Sequence, residues 1–255
     1  MMLFLRSLTF HIYFYIVTIY IILVHIIRVL YQSNHAHYVY YRWGCLIAWG
    51  LKHICQISIE VRGGDYIPSA EALFASKHQS VMETALIFIF LDRPAVILKK
   101  ELSYFPLVKH IIRGAGHICV DRKAGAKARQ HIVDETKDRL SKGQKVLIFP
   151  EGTRSAVNAA PRYKRGIFSI YHNTETACTP IALNTGLFWP RQGFLLSSGT
   201  AIFEFLPPIE TGLSENDFMT TLTTRIESTV ARLVQEGVAE QSAIRRKTHP
   251  KFKKH

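Results

Sequence analysis

Acidic residues are scarce in this chain and absent from both of its ends. No Asp or Glu precedes Glu60, and none follows Glu240. Over 255 residues, Lys and Arg number 32 against 19 Asp and Glu, a formal net charge of +13. That balance directs attention to nucleic acid, an anionic membrane surface or an anionic substrate. Cysteines are few and scattered: Cys45, Cys55, Cys119 and Cys178 form no C-x-x-C pair and no metal-ligand spacing, which argues against a zinc site or a disulfide framework. They are read as reduced, three of them in the core, as in a domain facing the cytosol. No G-x-S-x-G elbow is present to carry a serine nucleophile. There is no internal repeat and no low-complexity segment. The cations are not interleaved with stacking aromatics, and no nucleic-acid motif occurs.

Long apolar sequence is concentrated at the N-terminus. Between Arg6 and Arg28, the stretch Ser7–Ile27 contains no Asp, Glu, Lys or Arg. Roughly 20 apolar residues can cross a bilayer, and this run is too long for the apolar region of a signal peptide. A second stretch, Tyr38–Leu51, carries Tyr38, Tyr40, Tyr41, Trp43 and Trp49, residue types that favour the membrane interface. Two architectures compete: one span followed by an interfacial helix, or a hairpin that turns at Gln32-Ser33-Asn34 and dips into one leaflet. Residues 1–54 are therefore expected to form a membrane-embedded helical segment. Arg6 set against Arg28, Arg42 and Lys52 leans toward a cytosolic catalytic domain on the inner face of a cytoplasmic-type membrane.

From Cys55 the pattern changes. Ile57, Ile59 and Val61 alternate with polar residues, which predicts a strand with one buried face. Short apolar runs follow at Ala72–Ala75, Ala95–Leu98, His117–Val120, Val146–Phe149, Pro180–Leu183 and Ala201–Phe205. Between and after them lie helical stretches at Val81–Leu91, Phe105–Arg113, Ala124–Ser141, Ile167–His172 and Glu215–Gln235. This alternation predicts an α/β domain over residues 55–240, a largely parallel sheet flanked by helices. Residues 241–255, with Arg245, Arg246, Lys247, Lys251, Lys253 and Lys254, read as a basic tail that can face anionic headgroups.

In such sheets the chemistry gathers in loops after the strands. The loop Ser76-Lys-His-Gln-Ser-Val-Met-Glu83 holds a histidine and a carboxylate five residues apart. On one helix that is about 500° of rotation, so they meet only if His78 lies in the loop and Glu83 in the first helical turn. Ser80-Val-Met-Glu83 is a capping-box sequence that puts them there. The box alone accounts for Ser80 and Glu83 but leaves His78 unexplained. A histidine beside a carboxylate is a candidate general base, with one ring nitrogen held and the other made more basic. The free N–H groups at this helix start are one candidate source of oxyanion donors. A second loop, Phe149-Pro-Glu-Gly-Thr-Arg154, follows a strand and presents Arg154, whose fork suits a phosphate. Glu151 can pair with Arg154 or cap the loop. Lys99-Lys100, Arg122 and Lys164-Arg165 add cations to the same rim.

Taken together these blocks resemble the lysophospholipid acyltransferases, specifically the 1-acyl-sn-glycerol-3-phosphate acyltransferase family. His78-Gln-Ser-Val-Met-Glu83 resembles its H-x4-D block, with Glu in place of Asp. Lys99-Lys-Glu-Leu102 through Val120-Asp-Arg122 resembles the second block. Phe149-Pro-Glu-Gly-Thr-Arg154 resembles the third closely, and Thr179-Pro-Ile-Ala182 resembles the fourth. The resemblance implies a glycerolipid acyltransferase-like fold with an N-terminal hydrophobic helix or two-helix membrane motif. It implies that His78 deprotonates the acceptor hydroxyl and that Glu83 orients it. Lys100 and Arg154 would hold the acceptor's phosphate in a site shaped by Gly152 and Thr153, with Glu151, Arg122 and Lys164 in support. The implied reaction takes acyl-coenzyme A or acyl-carrier protein as donor and a lysophospholipid acceptor at a membrane. It uses no metal, no cofactor and no nucleic acid. Three rivals stand beside it: the same chemistry on another lysolipid, a serine hydrolase, and a non-catalytic basic adaptor.

Overall fold

The computed structural model describes residues 1–248; Lys251, Lys253 and Lys254 of the basic run lie outside the described residues. Seven strands form one sheet: β1 (Ile57–Arg62), β2 (Leu73–Ser76), β3 (Ala95–Lys99), β4 (Ile118–Val120), β5 (Val146–Ile148), β6 (Cys178–Leu183) and β7 (Gly199–Phe205). Their order is β1-β7-β6-β2-β5-β3-β4. Every pairing is parallel except β6 with β7. The edge pair β1 and β7 therefore runs against the other five.

The central strands β2, β5 and β6 are buried throughout, which is why they appear in the sequence as unbroken apolar runs. Successive residues still face opposite layers. Leu73 and Ala75 pack in one core with Ile170 and Tyr171 of α6 (Gly166–Thr174) and Phe218 and Leu222 of α7 (Glu215–Thr248). Phe74, between them, packs in another with Ile87 and Phe88 of α3 (Met82–Phe90). Strand β1 lies at the edge. Its buried face is clear at Ile57 but has opened by Val61, which is 40% exposed.

Helices α1 (Met2–Tyr31) and α2 (His35–His53) form a hairpin with its turn at Gln32–Asn34. The hairpin is joined to the domain along its length. Near its start, Arg6 donates to Gln56 (2.9 Å) and Ser7 Oγ accepts the Leu196 N–H (2.9 Å). Farther along, Phe10 and Val17 pack in one core with Trp189 and Phe203. Toward the turn, Ile21, Ile26 and Val29 meet Ile111 and Ala115 at and just beyond α4 (Pro106–Gly114). The opposite face of α1 exposes Leu8, Ile12, Ile16, Ile19, Leu23 and Ile27. The two helices pack as a hairpin against the domain, and α1 is also long and apolar enough to cross a bilayer.

Helix α7 continues to Thr248, into the segment read as a basic tail. It is tied to the domain about two turns before its end: Glu240 accepts from the Thr200 N–H and hydroxyl (both 2.8 Å), and the Gln241 amide reaches the Leu187 carbonyl (3.4 Å). Such contacts between residues distant in sequence carry no local signal.

Candidate active site

The loops leaving the C-terminal ends of β2 and β5, adjacent parallel strands, bring the predicted groups together. His78 lies between β2 and α3, and Glu83 is in the first turn of α3. His78 Nδ1 is 2.9 Å from Glu83 Oε1. That same oxygen accepts the backbone N–H groups of Gln79 and Ser80 (both 2.6 Å), while Oε2 accepts the Thr185 hydroxyl (2.7 Å). Ser80 Oγ in turn accepts the Met82 N–H (3.1 Å). The capping box and the histidine contact are therefore one construction, and Glu83 serves both. The side chain of Glu83 is 1% exposed and that of His78 is 15% exposed. Phe149 lies under the imidazole, stacked at 4.1 Å between centroids and 22° between planes. With Nδ1 engaged and one face covered, Nε2 is the nitrogen left for a substrate; among the described residues nothing hydrogen-bonds to it.

Of the N–H groups around this helix start, those of Gln79 and Ser80 are taken by Glu83 and that of Met82 by Ser80 Oγ, so these three are engaged within the protein.

Glu151, expected to face Arg154 or cap its loop, faces inward. Its Oε1 is 2.9 Å from Lys77 Nζ and accepts the Ser155 hydroxyl (2.7 Å), and its Oε2 accepts the His78 N–H (3.1 Å). Lys77, 2% exposed, also meets Glu227 Oε1 of α7 at 2.8 Å. Glu227 Oε1 further accepts the Tyr163 hydroxyl at 2.6 Å. Burial, then the hydrogen bond and charge of Glu227, push the Tyr163 phenol up, so it keeps its proton and donates. Ser155 completes the link, with its N–H on the His78 carbonyl (2.8 Å). The two loops and α7 are thus locked through one buried lysine.

Beside this core opens a cleft of about 710 Å³. Its basic lining is Arg122, Arg154, Arg162, Lys164 and Arg191, with Gly152, Thr153 and Glu151 on its wall. Gly152 is held at φ +68°, a conformation that favours glycine, and this turns the loop so that Arg154 enters the cleft. Arg154 has no side-chain partner among the described residues. Arg122 donates to the Gly152 carbonyl and braces the turn; burial lowers its pKa from the ordinary value, against an opposing pull from Glu101. Lys100 is not part of the lining. It sits 3.6 Å from Asp121, about half exposed, because β3 ends one strand beyond β5 and its following turn faces the β4 loop. Among the described residues no group of three or more His, Cys, Asp or Glu is placed to hold a metal ion.

The sequence reading missed Arg162, Arg191, Lys77, Glu227 and Thr185. Arg162 follows a proline and Arg191 a Trp-Pro pair, positions in which a surface arginine is unremarkable. Lys77 directly precedes His78, yet nothing local says that a lysine there is buried. Glu227 arrives from 150 residues away.

A family model described as Acyltransferase matches residues 58–184, from β1 to the end of β6, and so includes both loops. A 1-acyl-sn-glycerol-3-phosphate acyltransferase of Pseudomonas aeruginosa is 31% identical over 214 residues, covering 84% of this chain and 82% of that protein. The human 1-acyl-sn-glycerol-3-phosphate acyltransferase alpha is 28% identical over 171 residues, covering 66% of this chain and 60% of that protein. In three dimensions the chain matches the crystal structure of a 1-acyl-sn-glycerophosphate acyltransferase from Thermotoga maritima with a TM-score of 0.75. That match covers 90% of this chain and 96% of that one, and at 23% identity it is a likeness of fold.

Proposed function

The chain belongs to the 1-acyl-sn-glycerol-3-phosphate acyltransferase family, and from that premise we propose that it transfers a fatty acyl group from a thioester to the sn-2 hydroxyl of 1-acyl-sn-glycerol-3-phosphate, giving phosphatidic acid. The observation that carries this reading is a paired His78 and Glu83 beside a cleft lined by five basic side chains. In this reading His78 Nε2 takes the hydroxyl proton as the oxygen attacks the thioester carbonyl. The C–S bond breaks as the tetrahedral intermediate collapses, and the imidazolium returns the proton to the departing thiolate. No covalent bond to the enzyme forms. Glu83 orients the ring through Nδ1 and stabilises the imidazolium. Arg154, assisted by Arg122 and Lys164, holds the acceptor's phosphate, which fixes the hydroxyl for attack. Lys100 would act only at the outer rim.

The acceptor is a lipid, and the exposed apolar face of α1 supports an interfacial position for the hairpin. Exposed apolar surface of this extent marks contact with a partner or a membrane. An amphipathic helix lying in the interface buries such a face among the acyl chains. The site then faces the cytosol at a cytoplasmic-type membrane, in keeping with four free cysteines.

The test is acyl transfer to lysophosphatidic acid by membranes carrying the wild type or His78→Ala, offered acyl-coenzyme A and acyl-carrier protein in separate arms. Transfer that collapses in the variant at equal expression supports the reaction and the base, and the productive arm identifies the donor. Transfer that survives in the variant removes His78 from the role.

A further inference from the structure

A second basic cleft lies at the other end of the strands, where β3 and β5 begin. It has a volume of about 400 Å³. Arg93, Arg113, Arg139, Lys142 and Lys145 line it, and among the described residues Asp92 is the one acidic group on its wall. Asn34, from the α1–α2 turn, closes one side. That turn is packed hard against α4: a Cβ on Gly114 would stand 2.6 Å from the Ser33 carbonyl oxygen.

Three of the five cations are already compensated. Arg139 bonds to Glu135 (2.9 Å), to Asp138 and to the Gly116 carbonyl (2.7 Å). Lys142 is 2.7 Å from Asp138, and Arg93 has Asp92 at 4.0 Å. Arg113 and Lys145 are not. Arg113 has no side-chain partner among the described residues. Lys145 is 7% exposed, yet among the described residues its ammonium meets only the Ser69 carbonyl, at 3.4 Å, and no carboxylate. A buried ammonium carries three donors and is costly to hold with so little around it. The buried lysine beside the catalytic loop is different, because Lys77 has two carboxylates. Lys145 instead lines a cleft with an unpaired guanidinium and the amides of Asn34 and Gln144.

We propose that this cleft is a second anion site, which takes a phosphate group between Lys145 and Arg113. Two uncompensated positive charges complement a dianion, and a guanidinium fork with an ammonium is a phosphate-binding set. The phosphate can be free or can belong to an anionic lipid headgroup that reaches the cleft beside the hairpin turn. Either source would sit beside Asn34 of the hairpin turn, at the end of the strands opposite Arg154. The inference rests on this cleft alone and holds whatever acceptor the catalytic cleft takes.

The test is thermal unfolding of the full-length protein in detergent micelles at constant ionic strength. It uses inorganic phosphate in one arm and dihexanoyl phosphatidic acid in the other, both in an Arg154→Ala background that weakens the catalytic cleft. A Tm that rises with ligand is expected, with the half-saturating concentration raised at least tenfold by Arg113→Gln, a change at an exposed position. Lys145→Met should lose the response as well, with an unliganded Tm at or above that of its parent. A response in both arms assigns the site to the phosphate group itself, and a response to the lipid alone assigns it to a headgroup. No response in either arm, or a response that Arg113→Gln leaves unchanged, overturns the proposal.

Discussion

The loop after β2 and the cleft after β5 lie side by side, but their polar groups are held in different ways. Around His78 the buried charged groups have their partners within the protein: Glu83 accepts four hydrogen bonds, and Lys77 bridges Glu151 and Glu227. In the cleft, Arg154 has no side-chain partner among the described residues, and Arg162, Lys164 and Arg191 line the same open space. The first arrangement fixes geometry before substrate arrives, as a proton-transfer group requires. The second leaves charge uncompensated, so that an anionic substrate supplies the missing partner. Residues of the first kind should show their effect in turnover and folding, and residues of the second kind in substrate binding.

That division can be broken by experiment. The largest effect is expected for His78→Ala, which should lower kcat about 10²–10⁴-fold while acceptor KM stays within a few-fold, as read from initial rates over acceptor concentration. Lys77→Met comes next. It leaves the buried Glu151 and the partly exposed Glu227 without their cation, and loss of one partner in a buried pair costs about 3–5 kcal/mol. Urea unfolding should show that loss, and an unchanged midpoint would mean that the network does not hold the loops. Arg154→Ala should give the opposite pattern. A charged hydrogen bond contributes about 1.5–3 kcal/mol, so acceptor KM should rise roughly 10- to 100-fold, with no change in the urea midpoint. An unchanged KM would take the phosphate away from Arg154.

The smallest effect concerns the scaffold beneath both regions. His117 is buried and its Nδ1 accepts the Val96 N–H at 3.0 Å. Burial, then the charges of His37 and Arg139, lower it from 6.5 to about 3. The unfolded chain therefore binds the proton more readily than the native one. The contribution of His117 to stability is present above about pH 6.5 and is lost as pH falls from there toward 3, so at neutral pH its titration has little effect. His117→Asn should flatten the dependence of the urea midpoint on pH in that range. A slope that persists in the variant would place its origin in another group.

Much of this molecule was legible in its sequence because the signals are local. The period-2 alternation at Ile57–Val61 and the apolar runs at β2, β5 and β6 follow from burial on one face or both. The capping-box spacing of Ser80 and Glu83 placed His78 in the loop and the carboxylate in the first turn, where the structure has them. The hairpin turn at Gln32–Asn34 was visible as a polar break between two apolar stretches. Other features had no local cause. Glu151 turned away from Arg154 because Lys77 lies behind it, and Lys77 is buried because Glu227 comes over from α7. Arg162 and Arg191 reach the same cleft from different loops.

By itself, the sequence determined the order and type of the elements, the loops in which the candidate residues lie, and the family. Each of these is written in spacing along one stretch of chain, through side-chain period, capping and turn residues. Only the tertiary structure decided which charges are paired and which are left open. It made Lys77 a bridge, set Lys100 aside from the cleft and, among the described residues, left Arg154 without a side-chain partner and Lys145 without a counter-ion. Ion pairing and burial depend on what arrives from distant parts of the chain within a few ångströms, and no spacing along the sequence encodes that distance.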